Sequence, residues 1–159
     1  MNIATLRLLL EMVFLTIVFL HISKKNYGTA VAYALQSLAI VVILFNSFLE
    51  TGSMFLLVVA SLAFLVKVIL APVFFIGLIK KNALKFSVAT YLNTPLTLAV
   101  LALLTAVAHS NKLAPLTMIV PDNRDLLTLA LSTMLLSLFL IVNRKGALSQ
   151  IIGILSFEN

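Results

Sequence analysis

Apolar residues run along this chain in long stretches broken by short polar clusters, and the length of each stretch predicts its structure. A helix needs about 20 apolar residues to cross the roughly 30 Å hydrocarbon core of a bilayer, at about 1.5 Å per residue. Five runs meet that length. The first extends from Ile3 to Ile22 and stops at Ser23-Lys24-Lys25-Asn26; the second covers Gly28 to Leu49 and stops at Glu50-Thr51-Gly52. The third spans Ser53 to Ile79 before Lys80-Lys81-Asn82, the fourth Phe86 to Ala108, and the fifth Leu126 to Val142. A sixth segment opens at Ala147, after Asn143-Arg144-Lys145-Gly146, and reaches Asn159. Its thirteen residues make only about 20 Å of helix, a partial crossing. The expected fold is therefore all-α: a polytopic transmembrane bundle of five full helices and a partial sixth, forming one membrane domain over residues 1–159.

Loop charge predicts orientation. The first, third and fifth loops carry Lys24, Lys25, Lys80, Lys81, Lys85, Arg144 and Lys145, whereas the opposite side has Arg7, Lys112 and Arg124 beside Glu50, Asp122 and Asp125. Basic residues collect in cytoplasmic loops of membrane proteins. The odd loops are thus expected in the cytoplasm, with the N-terminus outside a cell membrane. The one long connection, His109 to Asp125, holds Pro115 and Pro121 and reads as a water-facing loop. Glu11 interrupts the first run and no small-residue cleavage pattern precedes Ser23, so that run reads as a retained helix.

Composition supports the same class. Of 159 residues, 62% are hydrophobic and 10% charged, against roughly 25% charged in an ordinary soluble domain. The net charge of +6 sits in loops between apolar runs, not along one polar face, which argues against nucleic acid. Cysteine is absent, which excludes disulfides, thiolate metal sites and a thiol nucleophile. His21 and His109 have no metal-ligand spacing and read as helix-end residues. There is no phosphate-binding glycine loop, nucleophile elbow or paired carboxylate motif, so no catalytic site, metal site or cofactor is expected in this chain.

Candidate chemistry lies instead with ionisable residues inside the apolar runs. A charge at the bilayer centre costs at least about 2.5–3.5 kcal/mol on insertion scales. Lys67 lies twelve residues before Ile79, about 18 Å of helix and too far for its stem to reach the headgroups. Its ammonium requires a carboxylate, a polar neighbour or internal water. It is read as an element of a proton or ion path, or as a buried pairing that orients helices. Pro72 should free the carbonyl near Val68 and kink that helix. Glu158, twelve residues past Gly146, falls near mid-membrane depth, either as a proton-transfer group or as a packing contact, with the Asn159 amide beside it needing partners too. Arg7 and Glu11 are four residues apart on one helix face and read as an ion pair at a helix end. Gln36, large and central in the second run, joins Lys67 and Glu158 as a path candidate. Ser37, Asn93 and Thr94 are expected to make interhelical hydrogen bonds.

These polar interruptions also carry a family resemblance. Ile22-Ser23-Lys24-Lys25-Asn26-Tyr27 followed by Tyr33-Ala34-Leu35-Gln36-Ser37-Leu38 resembles the opening of the hydrogenase-4 component E family. Phe64-Leu65-Val66-Lys67-Val68-Ile69-Leu70-Ala71-Pro72 continues the likeness, as does the end, from Ile141-Val142-Asn143-Arg144 through Gln150-Ile151-Ile152-Gly153 to Phe157-Glu158-Asn159. That family supplies a small membrane subunit to group 4 energy-converting hydrogenases and formate hydrogenlyase-type complexes. It is similar to the K subunit of respiratory complex I and the C subunit of Mrp-type cation/proton antiporters. The resemblance implies antiporter-like membrane partners and a cytoplasmic hydrogenase arm holding nickel–iron and iron–sulfur centres. It also implies that Lys67 and Glu158 belong to a hydrophilic axis for protons. Family members continue past Glu158-Asn159, so the chain is expected to be short at its C-terminus relative to them. An Mrp-type antiporter subunit without a redox partner and a purely structural scaffold are the other expectations.

Overall fold

A computed structural model of the chain describes residues 2–81, 89–117 and 123–159. Helix α1 (Ile3–Ile22) starts where the Asn2 side chain accepts from the Ala4 amide at 3.2 Å, which satisfies an otherwise unpaired donor of the first turn. Helix α2 (Asn26–Thr51) ends at Gly52, whose φ of 64° lies in the left-handed region. Helix α3 (Met54–Ala63), a π-helical stretch (Phe64–Leu70) and α4 (Ala71–Lys81) follow as one rod.

The π stretch has a local cause. Pro72 has no N–H to give to Val68, and an α-helical ring at that position would clash with the same carbonyl. The chain accommodates this one turn earlier by widening the helix: the Ala71 amide bonds to Val66 O, five residues back. Wide turns of this kind occur mostly at functional sites, and this one carries Lys67 at its middle.

The fourth expected crossing is shorter than its apolar run. Helix α5 spans Thr94–Ala108, and its 15 residues make about 22 Å. Asn93 caps it by accepting from the Leu96 amide at 3.0 Å, with Pro95 in the first turn. Just upstream, Ala89–Thr90 (β1) leaves the helical path and pairs antiparallel with Arg144–Lys145 (β2), Ala89 opposite Lys145 and Thr90 opposite Arg144. Residues 86–88 of the expected run, with Asn82 and Lys85, lie outside the described residues. Asn93 and Thr94, expected to bond between helices, instead mark this helix start. Pro115 falls in the short helix α6 (Ala114–Thr117), after a 3₁₀ turn at Asn111–Leu113; Pro121 and Asp122 lie outside the described residues. Helix α7 (Arg124–Asn143) and helix α8 (Ala147–Glu158) complete the bundle. Among the described residues four helices, not five, are long and apolar enough to cross a membrane: α1, α2, the α3–α4 rod and α7; α5 and α8 are shorter apolar helices.

Two glycines shape the α7–α8 hairpin. Gly146 turns the chain with φ 102°, a conformation costly for a residue with a Cβ. Gly153 lets α8 approach α7 so closely that an added Cβ would sit 3.1 Å from Ile141 Cγ1. Ser149, Gly153 and Ser156 are all buried on α8, the small-residue spacing that brings membrane helices together. The apolar interior forms two clusters, one around Tyr33, Phe75, Leu140 and Ile152, the other around Ile17, Leu101 and Leu136.

The odd loops meet at one end. Arg144 Nη2 donates to Ser23 O at 3.1 Å, joining the first and fifth loops. The β1–β2 ladder joins the third to the fifth. Asn143 adds three bonds there: its O accepts from the Tyr91 amide at 2.9 Å, its Oδ1 from the Leu92 amide at 3.0 Å, and its Nδ2 donates to Thr97 Oγ1 at 3.2 Å. The strict alternation of crossings inferred from loop charge is thus consistent with the contacts.

Candidate functional site

Lys67 lies thirteen residues from Met54 and fourteen from Lys81, at the middle of the rod. That places it roughly 20 Å from either end. Its ammonium donates to Asn159 Oδ1 at 3.2 Å and stands 3.5 Å from Glu158 Oε1. Asn159 Nδ2 in turn donates to Ser37 Oγ at 2.9 Å. One helix turn along the same stretch of α8, Ser156 O accepts from Gln36 Nε2 at 3.1 Å. The three expected path residues, Lys67, Glu158 and Gln36, therefore converge on the end of α8 from the π stretch, α8 and α2.

The elements explain the convergence. In a regular α-helix the residues before Pro72 keep a fixed register, and the π stretch shifts that register around Lys67. Gln36 and Ser37 are buried on α2, where Gln36 bonds Ser156 O and Ser37 accepts from the Asn159 amide. Lys67 is largely shielded, with its side chain 21% exposed, whereas the Glu158 side chain is 61% exposed. The site thus has a protected cation and a carboxylate that opens outward.

Beside it lies a cavity of about 440 Å³ between α1, α2, α7 and α8. Gln36, Thr133, Ser137, Ser156, Glu158 and Asn159 contribute polar atoms to walls otherwise made of residues such as Leu10 and Ile40. Thr133 and Ser137 satisfy themselves by donating to carbonyls of their own helix at 2.7 and 2.8 Å, which leaves their oxygens able to accept. Such a set can hold water beside an ammonium and a carboxylate and pass protons between them. Among the described residues, no group of three or more His, Asp or Glu side chains could hold a metal ion.

The Arg7–Glu11 pair forms as expected, Nε to Oε1 at 2.9 Å, on an exposed face. It lines a small cleft with His109 and Asp125 at the end opposite the joined loops. His109 caps the end of α5, and His21 closes α1, stacked on Phe139 with ring centroids 5.3 Å apart.

Two residues of structural weight carry no such signal in the sequence. Arg144, read from the sequence as loop charge, is 1% exposed, and burial pulls its guanidinium down to about 10. Asn143 is the hub of the loop contacts. Neither stands inside an apolar run, so the cost of burying charge did not flag them; only the clustering of Asn143-Arg144 at a helix end was visible.

Compared with known protein families, curated proteins and solved structures, the chain finds no match.

Proposed function

We propose that this chain is a small membrane subunit of a complex I-like, energy-converting hydrogenase or formate hydrogenlyase-type assembly. In this reading it adds Lys67, Glu158 and Gln36 to the hydrophilic axis along which protons or other cations move. The observation that carries it is the ammonium at the centre of a 28-residue apolar rod, contacted by Glu158 and Asn159 and linked through Asn159 to Ser37. An ionisable pair at that depth is costly and marks ion pathways in membrane proteins. The order and spacing of the family-like motifs add to this, since the same residues occupy them.

The rod itself suggests partners. Little of it is covered by the rest of the chain, and Phe55, Val58, Leu62, Leu65, Val73 and Phe74 are exposed. Antiporter-like subunits fit this apolar face, with the nickel–iron and iron–sulfur centres in a cytoplasmic arm attached to the assembly. Loop charge places that arm on the side of Lys24, Lys25, Lys80 and Lys81, with the N-terminus outside the cell membrane.

Two measurements test the reading. Purification of the tagged chain from its native membrane should bring down hydrogenase and antiporter-like subunits together. Antiporter subunits without any redox protein would favour the Mrp-type assembly instead. In the assembled complex, Lys67→Met and Glu158→Gln should each lower the ions moved per electron pair about tenfold or more, the scale of losing a proton-transfer group. Normal movement in both variants would reduce the chain to a scaffold.

A further inference from the structure

Five polar residues of α2 are buried: Asn26, Thr29, Tyr33, Gln36 and Ser37. At about 100° per residue they fall within an arc of about 100°, so they form a single stripe along the helix. The stripe begins beside Lys24 and Lys25 and ends at Ser37, which accepts from Asn159 next to Lys67. It covers about 17 Å of helix. Past Ser37 the same face continues as Ile40 and Leu44, and polar side chains return on it at Ser47 and Thr51 near the far end of α2. The unbroken polar stripe therefore runs from the centre toward the Lys24–Asn26 end.

Within the stripe, polar atoms remain unmet. Tyr33 is 0% exposed, and its hydroxyl stands beside Ser37 without making a hydrogen bond of good geometry. Gln36 Oε1 on α2 and Ser156 Oγ on the facing α8 are likewise buried without a protein partner among the described residues, although Gln36 Nε2 already bonds Ser156 O. Burying a hydroxyl or amide with no partner costs a few kcal/mol, and internal water is the usual remedy; Gln36 and Ser156 both line the cavity beside the site. The Tyr33 ring packs edge-on against Phe75, centroids 6.2 Å apart. The ring is therefore fixed, and with it the position of the hydroxyl oxygen on its axis.

We propose that Tyr33 is a relay residue between the Lys24–Asn26 end of α2 and the Lys67–Glu158 centre, joined to Ser37, Gln36 and Ser156 through buried water. This rests on the ion-path reading of Lys67 and Glu158. In the step, a protonated water on the Asn26 side gives its proton to Tyr33 Oη and becomes neutral water, while the existing Tyr33 O–H gives its proton to a water on the Ser37 side, which becomes protonated. Two O–H bonds break, on the donor water and on Tyr33, and two form, on Tyr33 and on the acceptor water; the tyrosine stays neutral and one positive charge has moved inward. Phenylalanine keeps the ring contact with Phe75 but has neither the lone pair nor the proton.

The test uses the whole complex in proteoliposomes, reading subunit content, electron turnover and ions moved. Tyr33→Phe should assemble with the parent's subunit content, with ions per electron pair lower by about tenfold or more. Replacing Tyr33 with 3-fluorotyrosine, which packs alike but has a more acidic hydroxyl, should restore movement and shift its pH profile. A purely packing role would move neither the ratio nor the profile. Should Tyr33→Phe fail to assemble, the fluorotyrosine variant decides alone, and an unchanged pH profile overturns the relay. Loss of movement in Lys67→Met and Glu158→Gln with normal movement in Tyr33→Phe would remove the relay and leave the wider reading standing. Normal movement in all three would remove both.

Discussion

Arg144 and Lys67 are both cations enclosed by apolar helices, and the chain holds them in opposite ways. Arg144 is the more deeply buried. It donates to one carbonyl, Ser23 O, and its Nη1 has no hydrogen-bond partner among the described residues. No carboxylate stands in the loops around it either, since the five acids of the chain are Glu11, Glu50, Asp122, Asp125 and Glu158. Lys67 is less enclosed yet has a carboxylate and an amide oxygen within reach. The first arrangement ties loops together through a hydrogen bond to the backbone. The second sets a cation beside a carboxylate, the Lys67 side chain 21% and the Glu158 side chain 61% exposed, and it is the arrangement on which the proposed ion path rests. The two charges therefore differ less in depth than in their partners.

The largest effect on stability should come from the loop knot. Asn143→Ala leaves the half-buried Leu92 amide without its acceptor and removes the buried bond to Thr97. Unfolding in detergent should show a loss of roughly 2–3 kcal/mol, the scale for unsatisfied buried groups. Asn143→Asp keeps an acceptor for Leu92 and should recover part of it. Next, Gly153→Ala places a Cβ 3.1 Å from Ile141 Cγ1. Overpacking of that kind costs roughly 1–3 kcal/mol, and a second substitution, Ile141→Ala, should relieve it.

Arg144→Met sharpens the contrast. It removes a hydrogen bond and a desolvated charge together, so the net change should be about 1 kcal/mol or less, with ion movement intact. The pH dependence follows from the lowered pKa. Below about 10 Arg144 is charged whether folded or unfolded and contributes no slope. Above about 10, and below the ordinary arginine value, the unfolded chain holds more protons, so the Arg144 contribution to stability rises with pH there. Parallel stability curves for parent and Arg144→Met from about pH 6 to about pH 9 would bear this out. A slope that differs between the two in that range would contradict this account. The smallest effect belongs to Arg7→Ala. That pair is exposed, 61% and 46% for the two side chains, and its loss should cost no more than about 0.5 kcal/mol.

Much of the centre was legible in the sequence because burial in oil is expensive: Lys67 and Glu158 stood out within apolar runs, and the contacts bring them together. Gln36 was legible for the same reason. The Arg7–Glu11 spacing on one helix face specified its contact outright. What escaped notice depended on backbone geometry. The start of α5 at Thr94 is decided by an Asn93 cap and by the pairing of Ala89–Thr90 with residues more than fifty positions away, and apolar periodicity contains no signal for either. Pro72 announced a disturbance near Val68, but a widened turn and a kink both answer a missing N–H. Tyr33 looked like one more aromatic residue in an apolar run until its hydroxyl was found buried among α2 and α8.

The most direct measurement is a double-variant cycle on ion movement in the reconstituted complex: Lys67→Met, Glu158→Gln and both together. Groups that act as a unit give losses that do not add. If the ammonium and the carboxylate serve one transfer, the double variant should move ions as slowly as the worse single variant and no slower. Losses that multiply, or single variants that move ions at the parent rate, would contradict a shared role for the pair.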